Sequence, residues 1–209
     1  MREYRSILAL AVLAVVALGT QIASAQKWTV QGSKTQIGTT GAPDLLKVNY
    51  FTNANTTGAQ DGTVQILNPG SPTGNLCAQI YVYDSNEELS ECCSCLVTPD
   101  GLRTLSVNTD LTSNPLTGVK LTTGSVSISA GYTSPSFNNP CNPLNNIVSP
   151  TLRAWGTHIY ANGSSYQITE SDYQDRTLGQ WNDNLLTDCA GVQTVGSGSG
   201  VCSCGTGGL

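Results

Sequence analysis

The sequence predicts a mainly β protein, an antiparallel β-sandwich stabilised by disulfides, with one short helix near the C-terminus. Three observations predict it. Short segments of alternating apolar and polar residues recur along the chain, separated by Gly, Pro and Asn turns. Charged residues make up only 11% of the chain, so Ser, Thr, Asn and Gly fill the outward positions. Eight cysteines follow an N-terminal export signal, and oxidising surroundings make disulfides their default state.

The export signal occupies residues 1–25. Arg2 and Arg5 supply the positive start, residues 7–19 are apolar, and Ala23-Ser24-Ala25 is a small-residue cleavage site. The apolar run is short for a membrane span, and no later segment is apolar enough to cross a bilayer. The expected product is a secreted or extracellular protein, not an integral membrane protein, with residues 26–209 as a single disulfide-rich β domain. Loss of Arg2, Arg5 and Glu3 leaves 7 basic and 13 acidic residues, a net charge of −6. Few, scattered Lys and Arg give no electrostatic footprint for nucleic acid.

The first clear stretch of the mature chain is residues 26–37. Trp28 and Val30 alternate with Thr29 and Gln31, and a Gly-Thr-Thr-Gly hinge follows at 38–41. A detached or edge strand fits that pattern. Residues 45–52 predict a strand, residues 53–62 a polar loop, and residues 63–67 a short strand stopped by Asn68-Pro69-Gly70.

Residues 76–118 organise the rest. Leu76, Ala78, Ile80 and Val82 alternate with Cys77, Gln79, Tyr81 and Tyr83, which puts an aliphatic row on one face and an aromatic–polar row on the other. Asp84-Ser85-Asn86 turns the chain back through residues 89–97. Cys93 and Cys95 share a face and Cys92 points to the other. A tight hairpin makes a bridge from Cys77 to Cys93 or Cys95 plausible and leaves Cys92 to a remote partner. Thr98-Pro99-Asp100-Gly101 predicts a type I turn, and a strand over 102–108 runs into a loop that closes at Gly118.

The segments NLCAQIYVYD, ECCSC, TPDGLRTLSVNTDLTSNPLTG and GSGSGVCSCG resemble an uncharacterised family of secreted, cysteine-rich acidobacterial proteins over residues 62–205. The resemblance implies export and a cysteine-rich fold. That family has no known activity, so it implies no functional residues.

Further along, residues 119–122 and 125–130 flank Thr123-Gly124 as a hairpin. Residues 131–150 form a long loop that Cys141 can pin. Residues 151–161 and 166–170 flank the hairpin signal Asn162-Gly163. Thr177 and Gln180 make a capping-box pattern, after which Leu178, Trp181, Leu185 and Cys189 share a helical face. Cys202 and Cys204 are the nearest partners in sequence for Cys189. The Gly/Ser-rich tail from Gly196 must be tied back through Cys202 and Cys204. Eight cysteines allow about a hundred connectivities, so the full map stays open.

Signals for chemistry are sparse. Cys93-Ser94-Cys95 and Cys202-Ser203-Cys204 could offer four thiolates, but zinc sites usually space paired cysteines by about two to four residues. Disulfides outweigh metal there. The lone histidine, His158, would be the only base for a serine or cysteine hydrolase, and no G-x-S-x-G elbow supports one. It reads as a strand histidine with a satisfied ring. Glu87, Glu88 and Glu91, and Glu170, Asp172 and Asp175, could furnish paired carboxylates, yet they sit where solvated turns and helix starts carry acids. Asn108-Thr109-Asp110 lacks the calcium-loop pattern. No catalytic residue, metal or cofactor is therefore expected.

The leading expectation is a secreted, non-enzymatic structural or interaction protein of the cell surface or extracellular matrix. A filament subunit that assembles by addition of strand 26–37 to a neighbour is its specific form. Self-association or binding to cell-surface polymers would follow. The alternative is a carbohydrate-binding module that uses Tyr81 and Tyr83 as an aromatic sheet face. A secreted hydrolase ranks third.

Overall fold

Among the described residues, ten strands form two antiparallel sheets. In chain order they are β1 (Leu46–Phe51), β2 (Thr63–Leu67), β3 (Leu76–Asp84), β4 (Leu89–Val97), β5 (Leu102–Ser106), β6 (Gly124–Tyr132), β7 (Ile147–Ser149), β8 (Arg153–Asn162), β9 (Ser165–Asp172) and β10 (Gln174–Arg176). The computed structural model describes residues 46–70, 74–132, 141, 147–149, 151–176, 185, 189 and 201–205. All of them belong to the unit Gly32–Leu209. The signal at 1–25, the segment 26–37 and most of the helix expected after Thr177 lie outside the described residues.

The larger sheet runs β10-β1-β6-β3-β4, with β7 also on β6; the smaller runs β5-β2-β8-β9. The inward row of β3 (Leu76, Ala78, Ile80, Val82) joins Cys93, Cys95, Val126 and Ile128 of its own sheet. Against them pack Val64, Ile66, Leu105 and Ala154 of the other sheet, in one buried cluster. Complete burial of each large aliphatic side chain stabilises the fold by about 1.5–3 kcal/mol. The expected β-sandwich is present. Its polypeptide passes from one sheet to the other at Tyr173, the single residue between β9 and β10, which is buried and donates its N–H to Ala154 O at 3.0 Å.

The register of β3 and β4 sets the cysteine map. Ala78 lies opposite Cys95, Ile80 opposite Cys93, and Cys77 opposite Leu96. Cys77 thus shares the outer face with Tyr81 and Cys92, and the expected bridge from Cys77 to Cys93 or Cys95 does not form. A shift of one residue moves a side chain to the opposite face. The four disulfides are Cys77–Cys141, Cys92–Cys189, Cys93–Cys202 and Cys95–Cys204. No cysteine is free. Cys141 is fastened to β3, and the stretch 131–150 expected as one loop includes the end of β6 and strand β7 at 147–149; Cys92 finds the remote partner it requires. Cys189 pairs with Cys92 and not with the tail, because it lies on the outer face beside Tyr81. Leu185, four residues before Cys189, has helical backbone and packs on the same cluster.

Local chemistry explains three other departures. Asp100 has a φ of 56°, so the turn closed by Gly101 N–H to Thr98 O at 2.9 Å is type II and not type I. In the β8–β9 hairpin Asn162 pairs with Ser165, which leaves Gly163-Ser164 as the two-residue loop. Positive φ at Gly163 alone gives a type II′ turn, one residue beyond the expected centre. Residues 119–122 form no strand beyond a single bridge from Lys120 to Ser113. Both sides of β6 are already taken, by β1 and β3. Strand β5 likewise stops at Ser106, where Val107–Leu111 forms one π-helical turn whose Thr109 N–H bonds to Ser106 Oγ.

The two open sides of the sandwich differ. On one, residues 201–205 run along β4 and reach β5. Val201 N–H bonds to Cys92 O, Ser203 N–H to Asp110 O, and Arg103 of β5 bonds to both Cys204 O and Leu96 O. Asn114 Nδ2 covers Ser90 O at 2.9 Å. Cys204 Sγ rests 3.5 Å from Ser94 O, a contact rather than a hydrogen bond because a disulfide sulfur carries no proton. The outward carbonyls of residues 90, 92, 94 and 96 on β4 are therefore all shielded. On the other side, β9 is the last strand of the smaller sheet. Among the described residues, nothing but β8 hydrogen-bonds to its residues 166–170.

Candidate functional site

Among the described residues, a polar constellation of side chains from both sheets lies where β1 approaches β8 and β9. Asn49 is in register with the core residue Val126, and His158 alternates with the core residue Ala154, so both side chains enter the interlayer. They meet there. His158 Nε2 lies 2.9 Å from Asn49 Oδ1 and 2.7 Å from Ser171 Oγ. Asn49 Nδ2 donates to Ser171 Oγ at 3.1 Å and more weakly to Ser171 O, while Asn49 Oδ1 accepts Tyr50 N–H at 2.9 Å. Tyr50 stands edge-on to the imidazole, with ring centroids 4.0 Å apart. Beside this clasp opens a groove of about 410 Å³, which Val48, Ser125, Asp172 and Gln174 also line.

The hydrogen bonds decide what His158 can do. Asn49 Oδ1 accepts from the Tyr50 amide, which fixes the orientation of the Asn49 side chain. An oxygen facing Nε2 then requires Nε2 to carry its proton, which it shares with Ser171 Oγ. A base that accepts the proton of Ser171 needs a lone pair at that nitrogen. The cluster resembles a Ser–His pair by distance alone. His158 is 8% exposed, and burial lowers its pKa from the ordinary value, so the neutral ring is the favoured form. Among the described residues no carboxylate bonds the ring. His158 is a satisfied strand histidine that joins the two sheets, as the sequence predicts.

Among the described residues the carboxylates do not assemble either. Glu87 and Glu88 are exposed in the β3–β4 turn, where Asp84 accepts the amides of Asn86 and Glu88. The Glu88 amide is the chief reason the Asp84 pKa is lowered. Glu91 departs from its expected solvated place. It lies opposite Val82 on the core-facing side, has no exposed surface, and among the described residues neither carboxyl oxygen has a hydrogen-bond partner. Loss of water pushes its pKa up to about 8. Its shared parity with Cys93 and Cys95 is the sequence signal that could have identified it. Asn108 and Asp110 serve the π-turn, with Asp61 accepting Asn108 N–H and Asp110 accepting Ser106 N–H.

The aromatic platform expected from Tyr81 and Tyr83 is not available. Tyr81 has no exposed surface, and Tyr83 is half-buried against the same cluster as Cys92, Cys189 and Leu185. Cys92, Cys189 and Leu185 pack around Tyr81 on the outer face of β3 and β4. Tyr50 of β1, by contrast, is exposed, at 59%. Sequence patterning missed it because β1 reads simply as apolar bulk. Cys93, Cys95 and Cys204 bring three sulfurs within 4.8 Å of one another, but each is already bonded in a disulfide.

Among the described residues, no helix is long and apolar enough to cross a membrane. No protein-family model matches the chain, and no curated protein matches it. Among solved structures, Thermotoga maritima 1070 is similar over 66% of this chain and 97% of its own length, at 11% identity and a TM-score of 0.39. A likeness at that level carries no argument about fold or function.

Proposed function

We propose that the protein is an exported, non-enzymatic structural or interaction protein of the cell surface or extracellular matrix, which self-associates by strand addition. The contrast between the two outer edges carries this reading. The edge of β4 is shielded by a disulfide-fastened tail, whereas residues 166–170 of β9 pair with no strand but β8 among the described residues. An unshielded edge strand is a template for another strand. Charge favours the segment 26–37 as the incoming strand: it carries Lys27 and Lys34 and no acid, while β9 carries Glu170 and Asp172 and no base. All eight cysteines are consumed in crosslinks, and the Ser171–His158 contact has the wrong proton arrangement for a nucleophile.

Light scattering on the mature chain tests it. The expected result is concentration-dependent association that is lost on removal of residues 26–37 and on Ile168→Lys, which puts a charge on the β9 edge. A mature protein that stays monomeric with and without that segment overturns the reading.

A further inference from the structure

The groove beside Tyr50 has the features of a binding site, and we propose that it takes a neutral pyranose unit of an extracellular polysaccharide. Tyr50 is more than half exposed, yet it is not a free surface ring. Its edge-on contact with His158 holds it, and His158 is held in turn by Asn49 and Ser171. A ring that is fixed before the ligand arrives loses little side-chain freedom on binding.

The rest of the lining matches the chemistry of a sugar. A pyranose has one face rich in C–H groups, which packs on an aromatic ring, and a rim of hydroxyls that both donate and accept. Tyr50 supplies the ring. Asp172 and Gln174 are exposed at the groove, and Ser125 completes a set of one acceptor-only group and two that can do both. Among the described residues no Lys or Arg lines the groove, which disfavours sulfated or uronic acid polymers. Asp172 and Gln174 flank Tyr173, the residue where the chain changes sheets, so the corner of the fold sets their separation. The site is distinct from Tyr81 and Tyr83, and it does not depend on self-association.

Affinity electrophoresis of the mature protein through gels containing a neutral β-glucan, xylan or mannan tests the proposal. Wild-type protein is expected to be retarded by at least one of the three. Tyr50→Ala is expected to lose at least tenfold in apparent affinity, while Tyr50→Phe keeps most of it because the ring remains. Tyr160→Ala, which removes another exposed tyrosine on the β8–β9 hairpin, is expected to leave retardation unchanged. Near-UV circular dichroism confirms that each variant is folded. Absence of retardation by all three polymers, or equal retardation of wild type and folded Tyr50→Ala, overturns the proposal.

Discussion

Cys93 and Cys95 project from the same face of β4 with their sulfurs 3.9 Å apart, and each is bridged to a tail cysteine 109 residues further on. The two C-S-C units therefore align in parallel, Cys93 with Cys202 and Cys95 with Cys204. The tail is held as a strap at two adjacent points.

This duplication makes the two bridges unequal partners in stability. Cys92–Cys189 already joins β4 to the later chain, so whichever bond is present first closes a loop of about 15 residues and the second closes only a small ring. By chain entropy, removal of one pair as Cys95→Ala/Cys204→Ala costs about 2 kcal/mol, whereas removal of all four sulfurs costs about 5 kcal/mol or more. Urea midpoints of the two variants, read against wild type, check the expected non-additivity.

Glu91 should make the protein less stable in alkali. Its carboxyl titrates near the ordinary value of 4.5 when unfolded and at about 8 when folded. The folded state binds the extra proton between those values, so stability declines as pH rises through that window and levels off above it. Glu91→Gln keeps the shape and removes the titration. Its stability curve is expected to be flatter between pH ~5 and ~8, and it should exceed wild type by at least about 1 kcal/mol at pH ~9.

The clasp between the sheets responds in the opposite direction. The His158 pKa is depressed by burial, so the unfolded state takes up a proton first as pH falls below about 6.5. Its contribution is complete above that value and is lost toward acid. Asn49→Ala leaves Nε2 and the Tyr50 amide without their oxygen and should cost about 1–3 kcal/mol. Thermal unfolding at pH ~5 and ~7.5, compared between wild type and His158→Gln, separates this slope from that of Glu91.

Gly124 permits a close passage that no other residue can occupy. A Cβ there would stand 2.0 Å from Tyr83 O and 2.8 Å from a ring carbon of Phe51. The first obstacle is backbone in the middle of the larger sheet and cannot yield. Gly124→Ala is expected to destabilise by about 3 kcal/mol or more, beyond ordinary overpacking. A soluble variant with a wild-type melting temperature would refute this.

The strands were legible wherever the alternation was strong. Leu76 to Val82, Val126 to Ala130 and Val64 to Ile66 announce their inward faces by period alone. Partnership was harder to read. Cys77 follows Leu76 by one position, so it belongs to the opposite face from Cys93, yet the hairpin register that reveals this depends on the bulge between Val82 and Tyr83. Glu91 was hidden for the same reason. The site around Tyr50 joins residues more than a hundred positions apart, such as Asn49 and His158, through a chain reversal at Tyr173. Nothing local to either residue encodes that meeting, whereas the satisfied histidine and the fastened Cys141 followed from composition.

The strap has a temporal consequence. Synthesis delivers β4 first and its sulfur partners 109 residues afterwards. Throughout that interval a nascent molecule presents a bare rim with two adjacent thiols, a species open to wrong exchange with its neighbours. Maturation of this sandwich is thus gated by its last-made segment, and an oxidant that acts before that segment emerges would trap the chain in mispaired forms.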